Sequence, residues 1–315
     1  MRLFEGVSVL PLDGRDGFSA ESVEGDFADT GRLVEPVRRA IARTRAWLLA
    51  RQRRDGHWVA ELEGDSTLQS ETVLLLAFLD REHTPLAKRA AQDLVQSQLP
   101  DGGWAMYPGG PMEINSSVKA YFALKLTGHA PSAEYMQRAR CAILARGGAD
   151  AVSGLTRFYL AILGQISFEQ CLEVPPELLL LPKWLPLNPY KLSAWSRTIM
   201  VPLSIVSALV PARKIDPRLG IRELFLERPE RWPRLRCPRL PDGTGPLGWK
   251  RFFCLVDGAI KWCRRRGLLP FRRRALEAAE AWMLDRFDAG DGLGASLPSI
   301  VWSLAALRTL GYDED

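Results

Sequence analysis

Apolar residues recur at helical spacing along most of the chain, and nowhere do Val, Ile or Thr alternate with polar residues over six positions. Segments 37–51, 69–79, 86–97, 115–127, 275–287 and 299–310 read as helices. In 69–79, Val73, Leu74, Leu76, Ala77 and Leu79 crowd almost every face, as in a helix buried on several sides. Segment 115–127 shares this inner character through Ser117, Val118, Tyr121, Leu124 and Lys125. The expectation is an all-α chain with inner and outer helical layers. Residues 1–35, with Gly14, Asp16 and Gly17, show no helical period and read as a flexible leader. Residues 36–315 read as one domain.

The helical segments are punctuated by a recurring turn. Gln52, Asp55, Gly56 and Trp58 return as Gln98, Asp101, Gly102 and Trp104, a Q-x-x-D-G-x-W pattern spaced by 46 residues. A decayed third copy keeps Asp291 and Gly292, with Asp288 read in place of the glutamine and Leu293 in place of the tryptophan. Asp-Gly closes a turn because glycine tolerates positive φ and the carboxylate accepts backbone N–H bonds. The glutamine amide can tie the helix end to the following loop, and the tryptophan covers the joint. These residues read as a staple between helices, without a catalytic role. Helix, turn, helix at this period predicts an α/α-barrel, or toroid, possibly incomplete.

Composition narrows the class. The chain has 315 residues, 47% hydrophobic and 25% charged, which suits a globular protein. Its longest uncharged apolar run, 198–212, contains Pro202 and Pro211 and falls short of the ~20 residues of a spanning helix. Glu5 sits where a secretory signal needs its apolar core. Five cysteines without a C-x-x-C pair favour a reduced, cytoplasmic chain, and His57, His83 and His129 fit no zinc spacing. There is no phosphate loop, nucleophile elbow or dinucleotide-binding turn, so neither metal nor cofactor is expected.

The formal charge of +5 is unevenly spread. Residues 249–274 carry nine cations against Asp257, which makes this segment +8 and the remainder −3. On a helix, Trp249, Phe252, Phe253, Val256, Ile260 and Cys263 share one face, with Lys250, Asp257, Lys261 and Arg264 opposite. Leu255 and Trp262 lie off the stripe, between Arg251 and Arg266. Large apolar groups flanked by arginines, including Arg264, Arg265 and Arg266, suit a helix lying in a lipid headgroup interface. The alternative is a surface helix with a solvated charged face. No RNA-binding fold is visible, and no nucleic-acid partner is expected.

The two Q-x-x-D-G-x-W turns, the run from Trp104 through Tyr107 to Pro111, and the block Pro186-Leu-Asn-Pro-Tyr190-x-x-x-x-Trp195-x-Arg197 resemble bacterial squalene–hopene cyclases. The resemblance spans about residues 38 to 312. It implies an α/α-barrel terpene cyclase that folds a linear C30 polyene such as squalene in an aromatic-lined cavity and attaches to one side of a membrane. Such proteins are about twice this long, and their protonating acid belongs to an Asp-x-Asp-Asp-Thr segment of the C-terminal half. This chain has only Asp313-Glu-Asp315, which is rejected as that motif.

By the resemblance, Trp195 matches a tryptophan lining the substrate cavity; the alternative is a core tryptophan packing Leu187 and Tyr190. Glu71 matches a glutamate of a water-holding polar network; a helix-start acid near Ser70 is the other reading. Lys119 stands where a second network glutamate is expected and could pair with Glu71. Leu297 replaces a glutamine beside Pro298, and Ser153 an arginine. Three functions remain open: a half-cyclase of hopanoid-type triterpenoid biosynthesis completed by a C-terminal partner chain or a homodimer, a non-catalytic isoprenoid-binding scaffold, and another toroid enzyme. The last needs two inward carboxylates ~5–9 Å apart, for which Glu71 and Asp65 are poor candidates.

Overall fold

The computed structural model describes residues 30–59, 65–182, 184–185, 188–232, 249–288, 292–294 and 296–312. The described residues are helical, and their only β pairing is the isolated antiparallel bridge between Ala105 and Met112. The chain divides into two units, Met1–Leu62 and Glu63–Asp315.

The first unit contains α1 (Thr30–Arg51) and the first Q-x-x-D-G-x-W turn. Helix α1 begins seven residues before the expected start at Val37, with Pro36 inside it. Within the turn, Gln52 Nε2 donates to Gly56 O at 2.7 Å and the Trp58 indole N–H to Leu48 O at 2.6 Å.

The second unit holds α2 (Ser66–Phe78), α3 (Pro85–Gln96), α4 (Ile114–Leu126), α5 (Glu134–Ala145), α6 (Gly154–Ile162), α7 (Ala194–Leu209), α8 (Trp249–Arg265), α9 (Arg272–Asp288) and α10 (Leu297–Leu310). Helix starts follow local chemistry. Asp65 Oδ1 accepts from Thr67 N at 3.0 Å, Glu113 Oε2 from Ser116 N at 2.7 Å and Ser193 Oγ from Ser196 N at 3.1 Å. Helices α3 and α5 are amphipathic, burying Ala87, Ala91 and Leu94, and Met136, Ala139 and Ile143. Helix α4 instead buries every residue from Ser116 to Leu126. It is an inner helix packed on α2, which α6 also meets, with α3 and α5 outside.

The inner helices share one ending. Asp80, Gly128 and Gly164 each follow the last turn in the left-handed region, at φ 62°, 93° and 68°. The next N–H then reaches back across that turn: Arg81 to Leu76 O, His129 to Leu124 O and Gln165 to Leu160 O, at 2.7–3.0 Å.

The second Q-x-x-D-G-x-W turn makes the same bonds as the first. Gln98 Nε2 donates to Gly102 O at 2.9 Å, and the Trp104 indole to Leu94 O at 2.8 Å. Gln98 also donates to Tyr135 O at 2.9 Å, which ties the turn to α5. Of the third turn, Asp291 lies outside the described residues. Gly292 has φ 88°, and in strict register the tryptophan's place falls on Gly294, at φ 101°, rather than on Leu293. Leu293 is buried nonetheless, as part of the hydrophobic core.

Helix α8 corrects the expectation for the basic segment. Asp257 and Lys261, placed by periodicity on a solvated face, are 6% and 3% exposed. They pair at 2.7 Å, and Lys261 also donates to Glu169 O and Cys171 O at 3.1 and 2.5 Å. Asp257 Oδ1 accepts from Glu173 N at 2.7 Å. A lysine and an aspartate four residues apart neutralise each other and answer the loop's backbone groups, so the charged face is the one that docks.

Candidate functional site

A polar cluster lies inside the inner layer, where apolar α2, α4 and α6 face one another. Glu71, 3% exposed, sits on α2 among Val73, Leu74 and Leu75. Lys119 of α4 donates to Glu71 Oε1 at 2.5 Å, and Tyr159 of α6 donates to Oε2 at 2.8 Å. Both carboxylate oxygens are thereby held, which is what a buried carboxylate requires. Lys119 Nζ also stands 5.9 Å from the Tyr159 ring centroid. Burial, then the charge and hydrogen bond of Glu71, push the Tyr159 phenol well above its usual range, so it stays a neutral donor.

Sequence patterns single out neither Tyr159 nor Trp302. The Tyr159 ring packs on Trp302 of α10 at a 46° tilt with centroids 4.7 Å apart, and Trp302 meets Phe158 edge-on at 6.0 Å. Both Tyr159 and Trp302 are fully buried, so they form a wall behind the site rather than an open surface. Nothing in the local sequence around Tyr159 signals that it meets a glutamate 88 residues away.

Of the expected cavity residues, the structure brings Glu71 and Lys119 into direct contact. Leu297 and Pro298 open α10, the helix that carries Trp302. Trp195 stands in the first turn of α7, which packs on α10, and is 61% exposed. Ser153 caps α6, and its N–H donates to Asn115 Oδ1 at 2.6 Å.

A second cluster fastens α8 and α9. Arg264 reaches Glu169 at 3.1 Å and Glu173 at 3.6 Å, while Arg272 reaches Glu177 at 2.8 Å and Glu173 at 3.8 Å. Burial pushes Glu173 above its ordinary value, against the opposing pull of Arg264, Arg272 and Lys261. Burial also pushes the Cys171 thiol up to about 12. Arg264, expected at a membrane, is instead an internal ligand of this cluster. Leu255, Trp262 and Arg266 remain exposed, with the Arg266 guanidinium 5.5 Å from the Trp262 ring. Leu268 and Phe271 extend this exposed apolar set beyond the helix. The side chains of Trp249, Phe252 and Phe253 lie outside the described residues. Among those described, no helix is long and apolar enough to cross a membrane, and no group of His, Cys, Asp or Glu could hold a metal ion.

Residues 41–315 match the squalene–hopene cyclase N-terminal domain. The chain belongs to that family. A squalene–hopene cyclase of Zymomonas mobilis is 36% identical over 283 residues, which is 90% of this chain and 41% of the relative. One of Alicyclobacillus acidocaldarius is 35% identical over 86% of this chain and 42% of its own length. Dammaradiene synthase of Dryopteris crassirhizoma is 32% identical, covering 93% and 42%. The chain thus spans less than half the length of the cyclases it matches, and its all-α toroid is that of the squalene–hopene cyclase N-terminal domain.

Proposed function

We propose that this chain supplies the N-terminal half of a polyprene-cyclase cavity in triterpenoid biosynthesis, with a linear polyene such as squalene as substrate. The observation that carries this reading is the match of residues 41–315 to a cyclase N-terminal domain over only 41–42% of three of its full-length relatives.

The chemistry divides accordingly. Protonating an isolated alkene needs an acid stronger than an ordinary carboxyl group, such as a carboxylate pair sharing a proton beside a cation. Glu71 is unsuited, because Lys119 and Tyr159 hold both its oxygens. The acid therefore comes from outside these 315 residues. This chain contributes wall and aromatic surface, Trp195 above all. A carbocation passing an aromatic face gains roughly 0.5–2 kcal/mol per ring.

The substrate's insolubility fits attachment to a membrane surface through the outward side of α8, with Leu255 and Trp262 entering the headgroup layer beside Arg265 and Arg266. The closed Glu71–Lys119 pair favours a second reading, a non-catalytic isoprenoid-binding scaffold. The test joins the purified chain to the C-terminal half of the Zymomonas mobilis cyclase and supplies squalene. Cyclic triterpene from the mixture supports the first reading. Squalene binding without product from any combination supports the second.

A further inference from the structure

The strap 211–232, which follows α7, closes over the C-terminal ends of the inner helices. Arg213 N donates to Ile162 O at 2.8 Å, and its guanidinium bonds Ala77 O and pairs with Asp80 and Glu82 at 2.8 Å. Lys125 of α4 bonds Gly220 O and pairs with Glu223 at 2.7 Å, while Tyr121 donates to the same Glu223 oxygen at 3.0 Å. Asp216 takes Arg218 in a bidentate pair. The nearby acids Asp80, Glu82, Asp216 and Glu223 are thus committed to other groups.

Like Arg228 and Arg231, the strap cations Lys214 and Arg222 are exposed and without a carboxylate partner among the described residues. Lys214 and Arg222 line one cleft of about 480 Å³ between the strap and the end of α6, whose only lining carboxylate among the described residues is Glu230. The floor is fixed: Gln165 Oε1 accepts from Ile221 N at 2.9 Å, and its Nε2 donates to Leu163 O at 2.9 Å. Gly220 approaches so closely that a Cβ there would stand 2.9 Å from Gln165 Oε1. Leu163, Ile215, Pro217 and Phe225 give the cleft apolar walls. The volume is that of a small-molecule site, with apolar walls and a few convergent polar groups.

We propose that this cleft binds an amphiphilic phosphate monoester, its head between Lys214 and Arg222 and its chain on the apolar wall. Two unpaired cations suit a head of nearly two negative charges better than a carboxylate, and Arg adds a planar fork for phosphate oxygens. The cleft shares no lining residue with the Glu71–Lys119–Tyr159 cluster, and its binding does not depend on cyclase activity.

Calorimetric titration of the purified 315-residue chain with octyl phosphate, inorganic phosphate and octyl glucoside, all below micelle formation, tests it. Octyl phosphate should bind at least tenfold more tightly than inorganic phosphate, and octyl glucoside should not bind. K214E/R222E should weaken octyl phosphate at least tenfold with helix content unchanged, whereas R218Q, off the cleft, should not. Should the double variant lose helix content, K214M and R222M must each still weaken binding at least threefold. Equal binding of octyl glucoside, or affinity indifferent to these substitutions, overturns the proposal. Vesicles containing phosphatidic acid then distinguish the source. Capture lost in K214E/R222E assigns the head to a membrane lipid, and capture unchanged assigns it to a free phosphate monoester.

Discussion

Glu71 and Lys119 form a buried ion pair, and each partner also meets Tyr159, Glu71 through a hydrogen bond and Lys119 over the ring. Removing one partner strands the other charge in an apolar interior. K119M should therefore destabilise the protein by roughly 3–5 kcal/mol in denaturant unfolding. The double variant E71Q/K119M should recover most of that loss, since glutamine is neutral and still offers Tyr159 an acceptor. The carboxylate in an apolar run announced at the sequence level that a partner was needed, and Lys119 was a visible candidate. Tyr159 and Trp302 were not, because their contacts depend on how α6 and α10 pack across long sequence separations.

At the scale of elements, two glycines with the same φ of +93° separate backbone strain from packing. A Cβ at Gly128 meets nothing within 4 Å, whereas one at Gly102 stands 2.7 Å from the Arg138 backbone. G128A should cost only the left-handed penalty of about 1–2 kcal/mol, and G102A distinctly more, by thermal unfolding of both variants. The turn chemistry of Gln98, Asp101, Gly102 and Trp104 was legible because its defining bonds, Gln98 to Gly102 O and the Trp104 indole to Leu94 O, are local; the links of Gln98 to Tyr135 and Arg138 and of Asp101 to Arg146 were not. The docking face of α8 was not legible. Periodicity sorts residues by polarity, yet here Asp257 and Lys261 cancel each other and bury. The carboxylates holding the strap and α8 also differ in sign with pH. Burial raises Glu82, but the hydrogen bond and charge of Arg213 outweigh it and leave Glu82 below its ordinary 4.5. Its stabilisation is complete above that value and lost as pH falls through the folded pKa. Glu173 is raised by burial, so its ionisation costs stability as pH climbs from 4.5 to its folded value. E82Q should flatten the acid limb of a stability–pH profile, and E173Q the decline above 4.5.

At the scale of the whole molecule, the proposed membrane contact rests on side chains that α8 and the following turn leave outside. With Arg264 engaged by Glu169 and Glu173, the charge contribution falls to Arg266 and to the more exposed Arg265, which also pairs with Glu169 at 3.5 Å. Each is worth roughly 1 kcal/mol at an anionic surface, so R265Q/R266Q should weaken binding to anionic vesicles by up to ~2 kcal/mol, most at low salt. L255S/W262S should weaken it independently of salt, because that contribution is apolar burial. Sedimentation with vesicles at two ionic strengths separates the effects. The central claim is that wall and acid reside in different halves. Incubation of the purified chain with detergent-dispersed squalene, followed by mass spectrometry of the extract, tests it most directly. Unchanged squalene is the predicted result. A cyclic triterpene made by these 315 residues alone would contradict it.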